Sequence, residues 1–128
     1  MIKLDTVPLI EGEIADYKFH EGILYSYSKS PKRTVKNISE NIALIKQITN
    51  NQTVPLLIYL CDSPMPDKET RKFSTEQLPK VYKAMAMVSK PGLAQLIMRV
   101  LFKLKTPLIP MKSFSNDIEA KEWLQQFK

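Results

Sequence analysis

Val54-Pro55-Leu56-Leu57-Ile58-Tyr59-Leu60-Cys61, the run VPLLIYLC at positions 54–61, is apolar at nearly every position. A strand with one face in water alternates in character, so an unbroken run points to a strand covered on both faces at the centre of a sheet. Pro55 brings no N–H to a ladder and fits only near the strand's start. Such a strand needs two covering layers, and the flanking sequence supplies them.

Upstream, Ile14 to Phe19 (IADYKF) and Ile23 to Tyr27 (ILYSY) flank His20-Glu21-Gly22, where glycine accepts the positive φ of a tight turn; this is a β-hairpin. Pro31 closes its second strand. Thr34 then offers a hydroxyl cap to a helix whose Val35, Ile38, Ile42, Ile45 and Ile48 form one stripe, ending at Asn50-Asn51.

Downstream, Asp67 in Pro64-Met65-Pro66-Asp67-Lys68-Glu69-Thr70 caps a short helix, and Glu69 places negative charge in its first turn. The pattern predicts that this helix runs through Phe73, breaks and restarts near Thr75 before Pro79. Val81 to Val88 (VYKAMAMV) reads as a strand whose small Ala84 and Ala86 admit a closely packed helix. Pro91 and Gly92 open an apolar helix to Leu104, with Leu93, Leu96, Ile97, Val100, Leu101 and Leu104 inward and Met98 and Phe102 on its flank. Pro107 to Met111 fits a strand only at a sheet edge. Asn116 and Glu119 have capping-box spacing before a terminal helix that buries Ala120, Trp123, Leu124 and Phe127.

The expected order is therefore ββαβαβαβα: an α/β fold with an N-terminal hairpin, a mixed and largely parallel sheet, and four helices, in a single domain over residues 1–128. At 44% hydrophobic and 25% charged, the composition is that of an ordinary globular chain. The longest apolar stretch, Leu93 to Leu104, is about half of what a bilayer requires and contains Arg99 and Lys103, so no transmembrane segment is expected. A single cysteine, Cys61, excludes an internal disulfide and a multi-cysteine metal site and suits the cytoplasm.

The net charge of +6 raises nucleic acid as a partner, but only Arg33, Arg71 and Arg99 are arginines and the lysines are scattered. No nucleic-acid site is expected. The densest basic patch, Lys29 to Lys36, reads as a solvated loop.

Enzyme chemistry finds little support. Cys61 closes a central strand, where open α/β sheets place their sites, but the only histidine, His20, belongs to the hairpin turn. Asp62 and Asp67 flank one loop without metal-ligand spacing, and three glycines leave no phosphate loop, so neither a metal nor a cofactor is expected.

Taken together, the Glu21-Gly22-Ile23-Leu24-Tyr25 hairpin, the strand ending in Cys61-Asp62, the helix start at Asp67, the segment VSKPGLAQLIMRVLFKL and the closing FSNDIEAKEWL resemble the STAS-like, or SpoIIAA-like, bacterial proteins. The resemblance implies a superhelix of βα turns and a regulatory, non-enzymatic role. In the anti-anti-sigma branch a serine just after an aspartate at the second helix start is phosphorylated. Here Lys68 follows Asp67, and Thr70 stands where a glycine is expected. The expected site is a partner- or anion-binding loop of Asp62, Ser63, Asp67, Lys68 and Thr70, with Ser74 and Thr75 as further hydroxyls. The alternative is a small apolar, lipid-like ligand, or a second copy of the chain, against Met98 and Phe102 beside helix 91–104.

Overall fold

The computed structural model describes residues 4–97 and 109–128. One six-stranded sheet, in spatial order β1-β2-β3-β4-β5-β6, is built from β1 (Ile10–Glu11), β2 (Ala15–His20), β3 (Ile23–Ser28), β4 (Val54–Tyr59), β5 (Tyr82–Val88) and β6 (Met111–Phe114). The first three strands pair antiparallel and β3 to β6 pair parallel. β4 is interior, as its unbroken apolar run requires, and its pairing with β5 shifts register between Val54 and Pro55, where the proline withholds its donor.

Helices α1 (Val35–Ile48) and α2 (Lys68–Val81) carry the β3-to-β4 and β4-to-β5 crossovers. Both step in one direction along the sheet, so a common hand puts both on one face. There Ile45, Leu78 and Val81 pack on Tyr17, Leu24, Leu56, Met85 and Met87. Helix α4 (Asp117–Leu124), continued by a 3₁₀ turn at Gln125–Phe127, covers the other face, where Ala120 and Leu124 meet Leu57, Ala84 and Ala86. The small residues of β5 thus receive a helix as expected. A five-residue helical stretch, α3 (Leu93–Ile97), follows β5.

Several boundaries depart from the sequence reading. The short strand β1 was not expected: two residues carry no periodicity. Among the described residues three helices of eight residues or more are present instead of the four expected, and one of them, α2, is a continuous 14-residue helix with Pro79 inside it, not two pieces. Proline there lies in the last turn, where it removes one intrahelical bond without interrupting the helix before it. Val81 consequently ends α2 instead of starting β5. The edge strand β6 runs from Met111, beyond Pro110. Positions 98–108, which include Met98, Phe102 and most of the expected apolar helix, lie outside the described residues.

Capping fixes the starts of the longer helices. Thr34 and Asn37 form a reciprocal box, Asn37 N–H donating to Thr34 Oγ1 at 3.1 Å and Thr34 N–H to Asn37 Oδ1 at 2.8 Å. Asn116 Oδ1 accepts from Glu119 N–H at 2.9 Å. Among the described residues no helix is long and apolar enough to cross a membrane.

Candidate functional site

Between the sheet and the α1–α2 layer lies a cavity of about 200 Å³. Its depth is aliphatic: Ile45, Leu56, Leu78, Met85 and Met87 line it and are all buried. Branched and thioether side chains standing on β4 and β5 meet the inward stripes of two helices, and the side chains leave this space between them. Polar groups enter at two places.

One is the Tyr17–Asn41 pair, where Asn41 Nδ2 donates to the tyrosine hydroxyl at 2.6 Å. Asn41 Oδ1 is buried without a partner among the described residues. Burial pushes the Tyr17 hydroxyl pKa up, with the Asn41 bond opposing.

The other is the mouth, formed by Arg33, Cys61, Ser63, Pro66 and Arg71. It sits at the carboxyl ends of β3 and β4, where open α/β sheets place their sites. Arg33 reaches into it from the loop before α1. Its Nη1 donates to the carbonyls of Lys29 and Pro31, the latter at 2.7 Å, and its Nη2 to Ile14 O at 3.1 Å. No carboxylate pairs with Arg33 among the described residues. Burial lowers its pKa, against the nearby Cys61 and Tyr17. Cys61 is half-buried, and its thiol donates to Ser28 O at 3.2 Å. Arg71 is half-buried too, with one long bond to Pro66 O at 3.4 Å.

Loop 62–67 and the first turn of α2 border this mouth. Asp62, Ser63, Asp67 and Lys68 are exposed, and so is Met65 at 48%. Asp67 caps α2, its Oδ1 accepting from Thr70 N–H at 2.8 Å. That backbone bond, followed by the Thr70 side chain and the charges of Lys32 and Arg71, holds the Asp67 carboxyl below its usual pKa. Thr70 itself is buried, only 2% exposed, so its hydroxyl is no part of a contact surface. Thr75 is buried likewise and donates to Arg71 O at 2.9 Å.

The structure separates the other candidates. His20 ends β2 at the hairpin and sits 3.2 Å from Glu21, at the opposite end of the sheet from Cys61. The basic patch is not uniformly solvated: Lys29 pairs with Asp16 at 2.7 Å and donates to Gly12 O, and Arg33 is half-buried. Among the described residues no group of three or more His, Cys, Asp or Glu side chains could hold a metal ion. The cavity lies under α1 and α2, and its lining among the described residues comes from other elements than the 91–97 part of the segment in which an apolar groove is expected. Sequence reasoning missed Tyr17, Arg33, Asn41 and Arg71. Their one signal was scarcity, since two of only three arginines converge here.

Comparison with known proteins places the chain. Residues 17–128 match the model of the family described as "Domain of unknown function (DUF7793)". The chain belongs to that family. No curated protein matches. Among solved structures it is similar to an uncharacterized protein from Shewanella loihica PV-4, of the DUF3478 family with a SpoIIAA-like fold. That likeness has a TM-score of 0.58 at 16% identity and covers 93% of this chain and 92% of the other. It supports the SpoIIAA-like fold.

Proposed function

We propose that this member of the DUF7793 family is a STAS-like binding module whose cavity takes a small apolar ligand. One observation carries the reading: about 200 Å³ of largely aliphatic space lined at one end by Ser63 and Pro66 of loop 62–67. Apolar lining left in contact with water carries a cost of roughly 25 cal/mol per Å². A cavity of about 150 Å³ already accepts a benzene ring. A ligand that fills the space offsets that cost on binding.

The test uses a small neutral probe. Fluorobenzene titrated into the protein is expected to shift the amide resonances of Ile45, Leu56 and Met87 saturably. The variant Ile42→Phe, which adds an aromatic ring to the lining, is expected to abolish the shift while remaining folded. Unmoved resonances in the wild type overturn the reading.

A second reading, a regulatory module that binds a protein partner, rests on exposed Met65 among Asp62, Ser63, Asp67 and Lys68. Because Ser63 and Pro66 also line the cavity, ligand occupancy and partner contact would share one loop. Met65→Ser should then lose partner capture yet keep the fluorobenzene response; a variant that captures the same proteins as wild type removes this reading.

A further inference from the structure

Arg33 donates to three backbone carbonyls and pairs with no carboxylate among the described residues. A guanidinium has five N–H groups. Three point to the carbonyls of Lys29, Pro31 and Ile14, which leaves Nε–H and one Nη2–H unassigned. A half-buried cation gives up part of its hydration, and a carboxylate is the usual partner that compensates it. Here Asp16, near the same loop, is engaged by Lys29 at 2.7 Å. The backbone carbonyls fix the position of the guanidinium without neutralising its charge. Arg71 places a second guanidinium at the same mouth, facing the exposed Asp67, and Ser63 adds a hydroxyl.

The cavity behind these cations selects the rest of the ligand. Among the described residues its lining is dominated by isoleucine, leucine and methionine, with Tyr17 and Tyr82 as the aromatic rings, and Tyr17's hydroxyl is already engaged by Asn41. That favours a flexible aliphatic chain over a stacked base. We propose that the cavity takes an aliphatic molecule with a single anionic head, a short- to medium-chain carboxylic acid. Its carboxylate lies on the unassigned N–H edge of Arg33, supported by Arg71, and its chain runs between α1, α2 and the sheet. The inference rests on the cavity reading above and adds the charge and shape of the ligand. Planar, two-point recognition of a carboxylate is what an arginine, unlike a lysine, provides.

The ligand series decides it on the wild-type protein. Calorimetric titration with octanoate, octan-1-ol and octylamine is expected to give octanoate the lowest Kd, about tenfold or more below octan-1-ol, with octylamine weakest. Arg33→Gln should bring octanoate to the level of the alcohol, and Arg33→Lys should recover only part of the difference. Because Arg33 also ties three carbonyls, Arg71→Gln serves as the variant that leaves the loop before α1 intact; it should weaken octanoate severalfold and leave octan-1-ol unchanged. Equal affinity for acid and alcohol overturns the anionic head while leaving the cavity reading standing. Failure of all three amphiphiles alongside a positive fluorobenzene response overturns the aliphatic chain. Failure of every probe, fluorobenzene included, overturns both readings.

Discussion

Tyr59 donates its hydroxyl to Asp117 Oδ2 at 2.9 Å, tying the central strand β4 to the first turn of α4 across 58 residues of sequence. The same ring stacks on Tyr27 of the neighbouring strand, centroids 4.9 Å apart and 3° from parallel, because Tyr27 and Tyr59 are register partners. Helix α4 is therefore held by a polar clasp as well as by Ala120 and Leu124. Tyr59→Phe keeps the stack and removes the bond. A hydrogen bond to an ionised group is worth about 1.5–3 kcal/mol, so a drop in Tm of roughly 5–11 °C is expected by calorimetry. An unchanged Tm would mean that water replaces the clasp without loss.

Tyr25 presents the opposite case. Its ring is fully buried, and its hydroxyl has no partner among the described residues. Burial, followed by the charges of Glu21, Tyr27 and Asp117, pushes its pKa up to about 12. Above pH 10 the unfolded chain releases this proton while the native state keeps it. The unfolded state then binds fewer protons, and stability falls as pH rises from 10 to 12, by roughly 2–3 kcal/mol from this group. Tyr25→Phe should be neutral or stabilising at pH 7, since it removes an unsatisfied buried polar atom, and should flatten the alkaline limb of a denaturant-midpoint profile. A variant as alkali-sensitive as wild type would refute the assignment.

Pro79 sits near the end of α2, where its ring displaces the bond that a residue N–H would make to Thr75 O. Pro79→Ala restores that donor at an exposed position. The unfolded chain gains freedom worth about 0.4–1 kcal/mol, less than the roughly 3 kcal/mol that an interior helical proline costs. The net expectation is a gain of about 1–2 kcal/mol in urea denaturation. A loss would show that the proline holds the α2–β5 junction at Val81 and Tyr82.

How much of this was legible can be judged residue by residue. The apolar run at 54–61 announced an interior strand, and Ala84 and Ala86 announced a close helix, because those features are local in sequence and survive in any context. Helix α2 was harder: KETRKFSTEQLPKV carries few apolar residues, so its stripe of Thr70, Thr75, Leu78 and Val81 is half polar and a period search sees a break. The cavity could not be read at all. It is a property of how two layers fail to meet, and no single residue encodes it. Arg33 looked like one cation among many in a basic loop, and only the fold shows that its neighbours Lys29 and Pro31 present carbonyls to it rather than water.

Gly12 illustrates a close approach that composition alone hides. A Cβ there would stand 2.6 Å from Ala15 O and 3.0 Å from Leu44 Cδ2. Leucine can yield, but the carbonyl belongs to the backbone at the start of β2. Gly12→Ala is thus expected to cost about 1–3 kcal/mol through overpacking. The strain falls where Gly12 O accepts from Lys29 at 2.8 Å, so the Lys29–Asp16 pair should loosen with it. Chemical denaturation measures the first effect and the amide shifts of Asp16 and Lys29 the second. A variant of wild-type stability would place the loop between β1 and β2 elsewhere.

The hairpin turn offers the complementary gain. Glu21 has φ 51° and Gly22 φ 79°, both left-handed, between the register partners His20 and Ile23. Two positive φ values in a two-residue loop define the type I′ geometry, in which Asn-Gly is the favoured pair because asparagine adopts the left-handed region at low cost. Glu21→Asn is expected to raise stability by about 0.5–1 kcal/mol. It forfeits the contacts of Glu21 with His20 at 3.2 Å and Lys121 at 4.0 Å, exposed or half-exposed pairs worth at most a few tenths of a kcal/mol each. Glu21→Gln separates the two contributions, since it removes the charge and keeps the unfavourable backbone preference. The expected order of Tm is Asn above wild type, with Gln at or slightly below it. Were Gln to rise as far as Asn, the gain would come from relieving the charge beside Tyr25, and the turn would carry no strain.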